Sequence, residues 1–100
     1  MMDQETIDTI VGLVKEREGI KTAARDSVIT AIVRGVVKEL EDEKGLALDR
    51  NNQYHLMFCV DLAHWRYKNP GGGSGTPRDL QYRLHNLMIH AKAEAEVDTP

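Results

Sequence analysis

The sequence has one cysteine, three prolines and few aromatic residues. A single cysteine allows neither a disulfide within the chain nor a metal site built from several cysteines. Cys59 lies in the apolar stretch LMFCVDL, which favours a buried, inert thiol over a reactive one. The sequence also has no long apolar run, and a membrane-spanning helix needs about 20 such residues. We therefore expect no membrane segment.

The net charge of the chain and the composition of its N-terminus argue against some classes of function, namely secreted proteins and general nucleic-acid binders. The opening MMDQETIDTI lacks the basic and apolar parts of a secretion signal, so we expect the protein to stay in the cytoplasm of the cell that makes it. A chain of 100 residues with 41% hydrophobic and 29% charged residues is typical of one small folded domain. The net charge of −3 argues against a general nucleic-acid binder, because such affinity comes from clustered Lys and Arg.

Hydrophobic periodicity predicts two helices in the first half of the chain. The first runs from about Asp3, its N-cap, to Glu18, and ends at a C-terminal glycine. The second covers residues 27–44, with either Asp26 or Ser27 as its cap and Gly45 at its end. Its apolar stripe is the clearest signal in the sequence, and its members are Val28, Ile29, Ile32, Val33, Val36, Val37 and Leu40.

Two further helices are predicted in the second half. The third covers residues 52–69, is stopped by Pro70, and is apolar around most of its circumference. The fourth starts with Thr76 as N-cap and Pro77 at its first position. Its apolar face consists of Leu80, Leu84, Leu87, Met88 and Ala91. The fold class is therefore all-α, a compact bundle of about four helices with a flexible glycine-rich loop, as one domain over residues 1–91. Residues 92–100 form either a frayed extension or a disordered tail.

No enzymatic chemistry is indicated, so we expect no catalytic, metal-binding or cofactor-binding residue. The glycine run GGGSG lacks the lysine and the preceding strand of a phosphate-binding loop. The four histidines do not have the spacing of a zinc helix, and there is no nucleophile elbow. Asp61 lies among apolar neighbours, which favours an ion pair with Arg66, Arg78 or Arg83 over catalysis.

Three segments are candidate interaction sites. An acidic cluster at the end of the second helix is either a solvated face or a surface awaiting a basic partner, since its sign opposes the helix macrodipole. An aromatic and basic segment ends the third helix and suits both a core and an interface. The glycine run is a candidate docking loop. Their residues, with two basic residues of the fourth helix, are Glu39, Glu41, Asp42, Glu43, Trp65, Arg66, Tyr67, Lys68, Asn69, Gly71, Gly72, Gly73, Ser74, Gly75, Arg78 and Arg83.

The order of these features resembles the small head-tail connector proteins of long-tailed bacteriophages and prophages. The similarity covers about residues 10–90 and includes LAHWRYKN, the variable loop, and the proline-led TPRDLQYRLHNLMIH. Tyr67, Lys68 and Asn69 match a family segment in which arginine commonly follows, whereas Pro70 occupies that position here. The contact of that arginine would have to come from Arg66 or Lys68.

The resemblance implies a structural role in the virion. It implies a ring of identical subunits, usually about twelve, that docks beneath the portal, extends the DNA channel and presents a face to the neck or tail-completion protein. In such a ring the acidic cluster would meet Arg66, Lys68, Arg78 and Arg83 of a neighbour. DNA would pass through an acidic channel without specific binding. Two alternatives remain open, a small helical DNA-binding regulatory protein and a small metal-dependent hydrolase.

Overall fold

The computed structural model describes residues 2–72 and 75–97, with side chains described up to residue 93. Over these residues the chain is entirely helical, without strands, which confirms the all-α bundle. Its elements are α1 (Gln4–Glu18), α2 (Asp26–Lys38), a π-helical turn (Glu39–Glu43), α3 (Gln53–Lys68) and α4 (Arg78–Val97).

Both capping residues predicted for α1 are confirmed, whereas for α3 Asn52 was predicted only as the start of the helix and the structure shows it as the N-cap. Asp3 accepts a hydrogen bond of 2.9 Å from the Thr6 backbone N–H, and Gly19 adopts the left-handed conformation with φ of 70°. Asn52 accepts a hydrogen bond of 2.9 Å from the Tyr54 backbone N–H. Because an N-cap side chain satisfies a free N–H of the first turn, these contacts fix where each helix begins.

The second helix ends earlier than predicted. Its α-helical part stops at Lys38, and a π-helical turn follows, in which the Lys44 N–H donates to the Glu39 carbonyl at 3.1 Å. The chain then reverses at Gly45, whose φ is 67°, and the Leu46 N–H donates to the Leu40 carbonyl at 2.9 Å. The sequence did not reveal this turn, because the apolar stripe stops at Leu40 and the polar residues beyond it carry no period.

The predicted cap of α2 is wrong. Arg25 occupies the N-cap position and makes no side-chain cap. Asp26 is already helical, and its carboxylate lies 2.6 Å from the Lys15 ammonium of α1. Ser27 lies inside the first turn, so neither residue is free to cap.

The core is shared by α1, α2 and α3, which all pack against one another, whereas α4 contacts only α3 among the described helices. The side chains of Ile10, Val14, Val33 and Phe58 are almost completely buried at its centre. Full burial of such side chains stabilises the fold by roughly 1.5–3 kcal/mol each. The loop after Gly45 adds two leucines to this core, and α4 adds Leu80.

The fourth helix is the longest, with 20 residues, and is therefore about 30 Å long. It begins at Arg78, directly after the predicted first residue, Pro77. It continues as a helix past Ala91 to Val97, while residues 98–100 of the predicted tail lie outside the described residues. Within the described ranges, no helix is both long and apolar enough to cross a membrane.

Candidate interaction surfaces

A charged network joins three of the helices around Asp61. The carboxylate accepts a hydrogen bond from Arg17 of α1 and a second, of 2.7 Å, from Arg83 of α4. The Arg83 guanidinium also lies 5.4 Å from the centroid of the Phe58 ring, within the range of a cation–π contact. The prediction of an ion pair to Arg83 is confirmed, whereas Arg17 was missed because it lies 44 residues away in sequence.

The network of Arg17 and Arg83 lowers the pKa of the Asp61 carboxyl. Partial burial works to raise the pKa of this carboxyl, but the hydrogen bonds and charges of Arg17 and Arg83 outweigh it, so the pKa lies below its ordinary value. Asp61 is therefore charged near neutral pH, as a structural ion pair requires. It fastens α4 to the rest of the bundle.

Most of the predicted acidic and basic interface residues meet partners within the same chain. Glu39 of the π-helical turn accepts a hydrogen bond of 2.6 Å from Arg66, and Lys68 lies 3.5 Å from Glu18. Glu39, Arg66 and Lys68 were predicted from the sequence to contact a neighbouring subunit, but here they pair within one chain. A contact between subunits through them stays a prediction, and it would have to compete with these pairs.

The other predicted acidic and basic interface residues differ in how much of each side chain is exposed to solvent. Glu41 is half-buried, while Asp42, Glu43 and Arg78 are exposed. The exposed three form no ion pair within residues 2–72 and 75–97. They remain accessible to another molecule.

The aromatic and basic segment lies half in the core. Trp65 and Tyr67 are half-buried and pack against the core cluster. The Asn69 side chain donates to the Trp65 carbonyl at 2.9 Å and so helps to end α3 ahead of Pro70. The half-buried rings support the interpretation of this helix end as part core and part surface.

Three glycines of the glycine run line a small concavity. Gly71, Gly72 and Gly75 have positive φ values of 84°, 86° and 99°, conformations that side-chain-bearing residues rarely adopt. With Trp65 and Arg66 they line a cavity of about 300 Å³. Gly73 and Ser74, which the sequence also assigned to this docking loop, lie outside the described residues.

A larger groove was not predicted from the sequence. It has a volume of about 690 Å³ and lies between the loop before α3, the start of α3 and the middle of α4. Phe58 and Leu87 contribute apolar surface, and His55, Arg83 and His90 contribute polar groups. Its walls come from two segments, residues 46–58 and 83–91, that are 25 residues apart at their nearest, so no local pattern could reveal it.

The face of α4 that points away from α3 carries large apolar side chains. Tyr82 is 66% exposed and Ile89 is 52% exposed, with Met88 beside them at 39%. Tyr82 and Ile89 are two helical turns apart and lie on one face, opposite Leu80 and Leu84. We call Tyr82 and Ile89 the outer face of α4; Met88 lies about 100° around the helix from Ile89, on the flank of this face.

Two of the four histidines, His55 and His64, contact residues of other segments. His64 Nε2 lies 2.5 Å from a Glu18 carboxylate oxygen, and His55 accepts a hydrogen bond of 3.0 Å from the Asp49 backbone N–H. No group of three metal-ligating side chains converges anywhere in the described part of the chain. Cys59 is fully buried, which confirms its predicted burial, and this burial raises the pKa of its thiol to about 12.

Comparison of the chain with protein-family models, with curated proteins and with solved structures finds no match.

Proposed function

We propose that this chain is a structural, non-enzymatic head-tail connector of a long-tailed bacteriophage. In this proposal it forms a homo-oligomeric ring between the portal and the neck or tail protein in the virion. The ring extends the DNA channel, and DNA passes through it without specific binding. The resemblance of residues 10–90 to that family is the starting point.

The outer face of α4 is the observation that best supports an assembly role. This helix contacts only α3 among the described helices, and it presents Tyr82, Met88 and Ile89 to solvent. Single exposed apolar residues are ordinary, but Tyr82 and Ile89 share one face of α4 and Met88 lies on its flank, which gives an exposed apolar surface of the kind found at protein interfaces. We assign this face to docking on the portal.

Charge supports a connector over the alternative of a DNA-binding regulator. A recognition helix needs a cluster of basic side chains, and α4 is the most basic helix by sequence. Its Arg83 is engaged by Asp61. Its other two cations, Arg78 and Lys92, are 14 positions apart, which corresponds to about 20 Å along the helix. No compact basic surface results on α4.

Binding to the portal protein encoded in the same genome tests this function. We expect the purified chain to bind the portal with many copies, measured by sedimentation velocity of the mixture. The variant Tyr82→Ser with Ile89→Ser is expected to bind at least about tenfold more weakly, because it removes two interface anchors without touching the core.

A matched variant controls for the loss of an exposed ring. Tyr54→Ser removes a tyrosine that is 80% exposed on α3, and we expect it to bind the portal like the unmodified chain. A chain that ignores the portal but binds duplex DNA, with an affinity that falls steeply as salt rises, would support the regulator instead.

A further inference from the structure

The groove beside α4 is partly apolar. Phe58 and Leu46, whose side chains are buried in the core, line it together with the half-buried Leu87 and Ala91 of α4. Its volume of about 690 Å³ falls within the range of about 300–1,000 Å³ that is typical of ligand-binding clefts. The groove therefore has room for apolar side chains of another segment.

The α4 wall of the groove carries a strip of hydrogen-bond donors. Arg83, Asn86 and His90 all line it, and the helical repeat puts them within about 60° of one another around α4. Arg83 donates one hydrogen bond, to Asp61, whereas a guanidinium carries several more N–H donors. The side chains of Asn86 and His90 form no hydrogen bond within residues 2–72 and 75–93. This wall therefore has donors to offer.

His55 supplies a further donor from the α3 side of the groove. Its Nδ1 accepts a hydrogen bond of 3.0 Å from the Asp49 backbone N–H. Since a neutral imidazole has one acceptor and one donor nitrogen, this contact places the proton on Nε2. Among the described residues, no Asp or Glu lines the groove. Donors without a carboxylate of their own suit an incoming carboxylate, which only accepts hydrogen bonds.

The C-terminal end of the sequence has the matching chemistry. Residues 94–98 read EAEVD, which combines three acids with a valine and contains no cation. The carboxylates can accept the hydrogen bonds that the groove donates, and the valine is apolar like the groove itself. We call residues 94–98 the acidic segment.

A chain cannot place the acidic segment in its own groove. α4 is one continuous helix from Arg78 to Val97, and its residues 83–91 form one wall of the groove. With the rise of an α-helix, Val97 lies about 9 Å beyond Ala91 along the same axis. The segment therefore points past the groove of its own chain and can enter only the groove of another.

We propose that the acidic segment of one copy binds in the groove beside α4 of another copy. Its carboxylates accept hydrogen bonds from Arg83, Asn86 and His90, while Val97 packs against Phe58. A segment and a groove are two different surfaces of one subunit, so the contact is head-to-tail and closes into a ring when the rotation between neighbours allows it. The inference rests on the proposed function, because it names the contact between neighbouring copies of that ring.

Two variants separate the two sides of the contact. The segment variant carries Glu94→Lys with Glu96→Lys, and the groove variant carries Asn86→Glu with His90→Glu, which places carboxylates among the donors. Both leave Arg83 and the core unchanged. Self-association of each, measured by sedimentation equilibrium, is expected to be at least about tenfold weaker than that of the unmodified chain, because each brings like charges together or removes complementary ones.

A synthetic peptide tests the groove without any assembly. The peptide KAEAEVD, the sequence of residues 92–98, carries a fluorophore and is added to the full-length segment variant, whose own segment does not compete. Fluorescence anisotropy is expected to show binding with a Kd below about 1 mM. The peptide KAQAQVN, which lacks the three carboxylates, is expected to bind at least about tenfold more weakly, and so is KAEAEVD added to the groove variant.

Mixing the two variants tests the contact between copies. The basic segment of the segment variant fits the acidic groove of the groove variant, and the unmodified segment and groove also fit each other. An equimolar mixture is therefore expected to associate as the unmodified chain does. A variant that had merely unfolded could not be rescued in this way, and circular dichroism of each variant checks its helix content.

Two controls make matched changes elsewhere. Gln81→Glu with His85→Glu adds two acids at the same spacing on a side of α4 outside the groove, and Asp42→Lys with Glu43→Lys reverses two acids of the π-helical turn. Both are expected to keep self-association within about twofold. The inference is overturned if the unmodified chain stays monomeric up to about 1 mM, if the groove variant or the carboxylate-free peptide binds normally, or if the mixture does not recover.

The outcomes separate this inference from the proposed function. A chain that binds the portal in many copies, with segment and groove variants that bind equally well, retains the connector function and loses the contact between segment and groove. A chain that binds the peptide and self-associates with rescue by the mixture, but ignores the portal, retains the contact and loses the connector function.

Discussion

Arg83 of α4 donates a hydrogen bond of 2.7 Å to Asp61 of α3, and the same carboxylate accepts from Arg17 of α1. α4 touches no other helix than α3 among the described elements. This ion pair and a row of leucines on α4 therefore hold the helix whose outer face we assign to portal docking. The Asp61 network therefore stabilises the bundle and also holds the outer face of α4 in position.

Removing the Asp61 charge is expected to destabilise the fold. Asp61→Asn leaves two half-exposed guanidinium groups facing each other without their carboxylate. We expect a loss of about 1–3 kcal/mol in the free energy of unfolding, since one deleted charge leaves its partners uncompensated. Urea unfolding followed by circular dichroism measures it. Asp79→Asn on the exposed side of α4 is the control, with an expected change within about 0.5 kcal/mol.

Two glycine-to-alanine variants are expected to have opposite effects. Gly35 is helical with open space around its missing Cβ, so Gly35→Ala is expected to stabilise the monomer by up to about 1 kcal/mol. Gly19 ends α1 with φ of 70°, so Gly19→Ala is expected to destabilise it by about 1 kcal/mol. Thermal unfolding at low protein concentration compares them. Equal changes of one sign would contradict the backbone geometry.

Lowering the pH is expected to destabilise the fold, because three carboxyl groups have lowered pKa values in the folded protein. The pKa of Asp3 is lowered by hydrogen bonds from Thr6, that of Glu18 by His64, and that of Asp61 by its two arginines despite burial. A group with a lowered folded pKa stabilises the fold above its ordinary value, here 3.8 for Asp and 4.5 for Glu. This contribution is lost as pH falls through the folded pKa.

The melting temperature should therefore stay nearly constant from about pH 7 to about pH 5 and fall below about pH 4.5. Asp61→Asn should show a shallower fall, because one of the three groups no longer titrates. An identical acid profile in Asp61→Asn and the unmodified chain would show that the Arg17 and Arg83 contacts do not lower the pKa of Asp61.

The Cys59 thiol is expected to be inert while the protein is folded. It is fully buried and its pKa is raised to about 12, whereas the thiolate is the reactive form. We expect labelling by a thiol-specific reagent near neutral pH to proceed only as fast as the protein opens, and to become rapid in denaturing urea. Rapid labelling of the native protein would contradict the burial of this side chain.

The sequence predicted what repeats locally and missed what depends on distant residues. The caps at Asp3 and Gly19 and the stop before Pro70 follow from residues within a few positions of each helix end. The partner Arg17 of Asp61 and the partner Arg66 of Glu39 lie 44 and 27 residues away. Such pairs depend on how the helices are arranged, which no helical period encodes.

Among the candidate surfaces, too, those built from contiguous residues were predicted and those built from distant residues were missed. The aromatic segment around Trp65 and the glycines near Gly71 were found because they are contiguous. The groove beside α4 combines segments distant in sequence, and became visible only with the helices in place. The acidic cluster was visible in the sequence, but the pairing of Glu39 with Arg66 inside one chain was not.

The most direct measurement of the central claim is the mass of the portal protein encoded in the same genome, before and after addition of this chain, by native mass spectrometry. The connector function predicts a complex heavier by about twelve copies of an 11.3 kDa chain. A portal whose mass does not change in the presence of excess folded chain would contradict it.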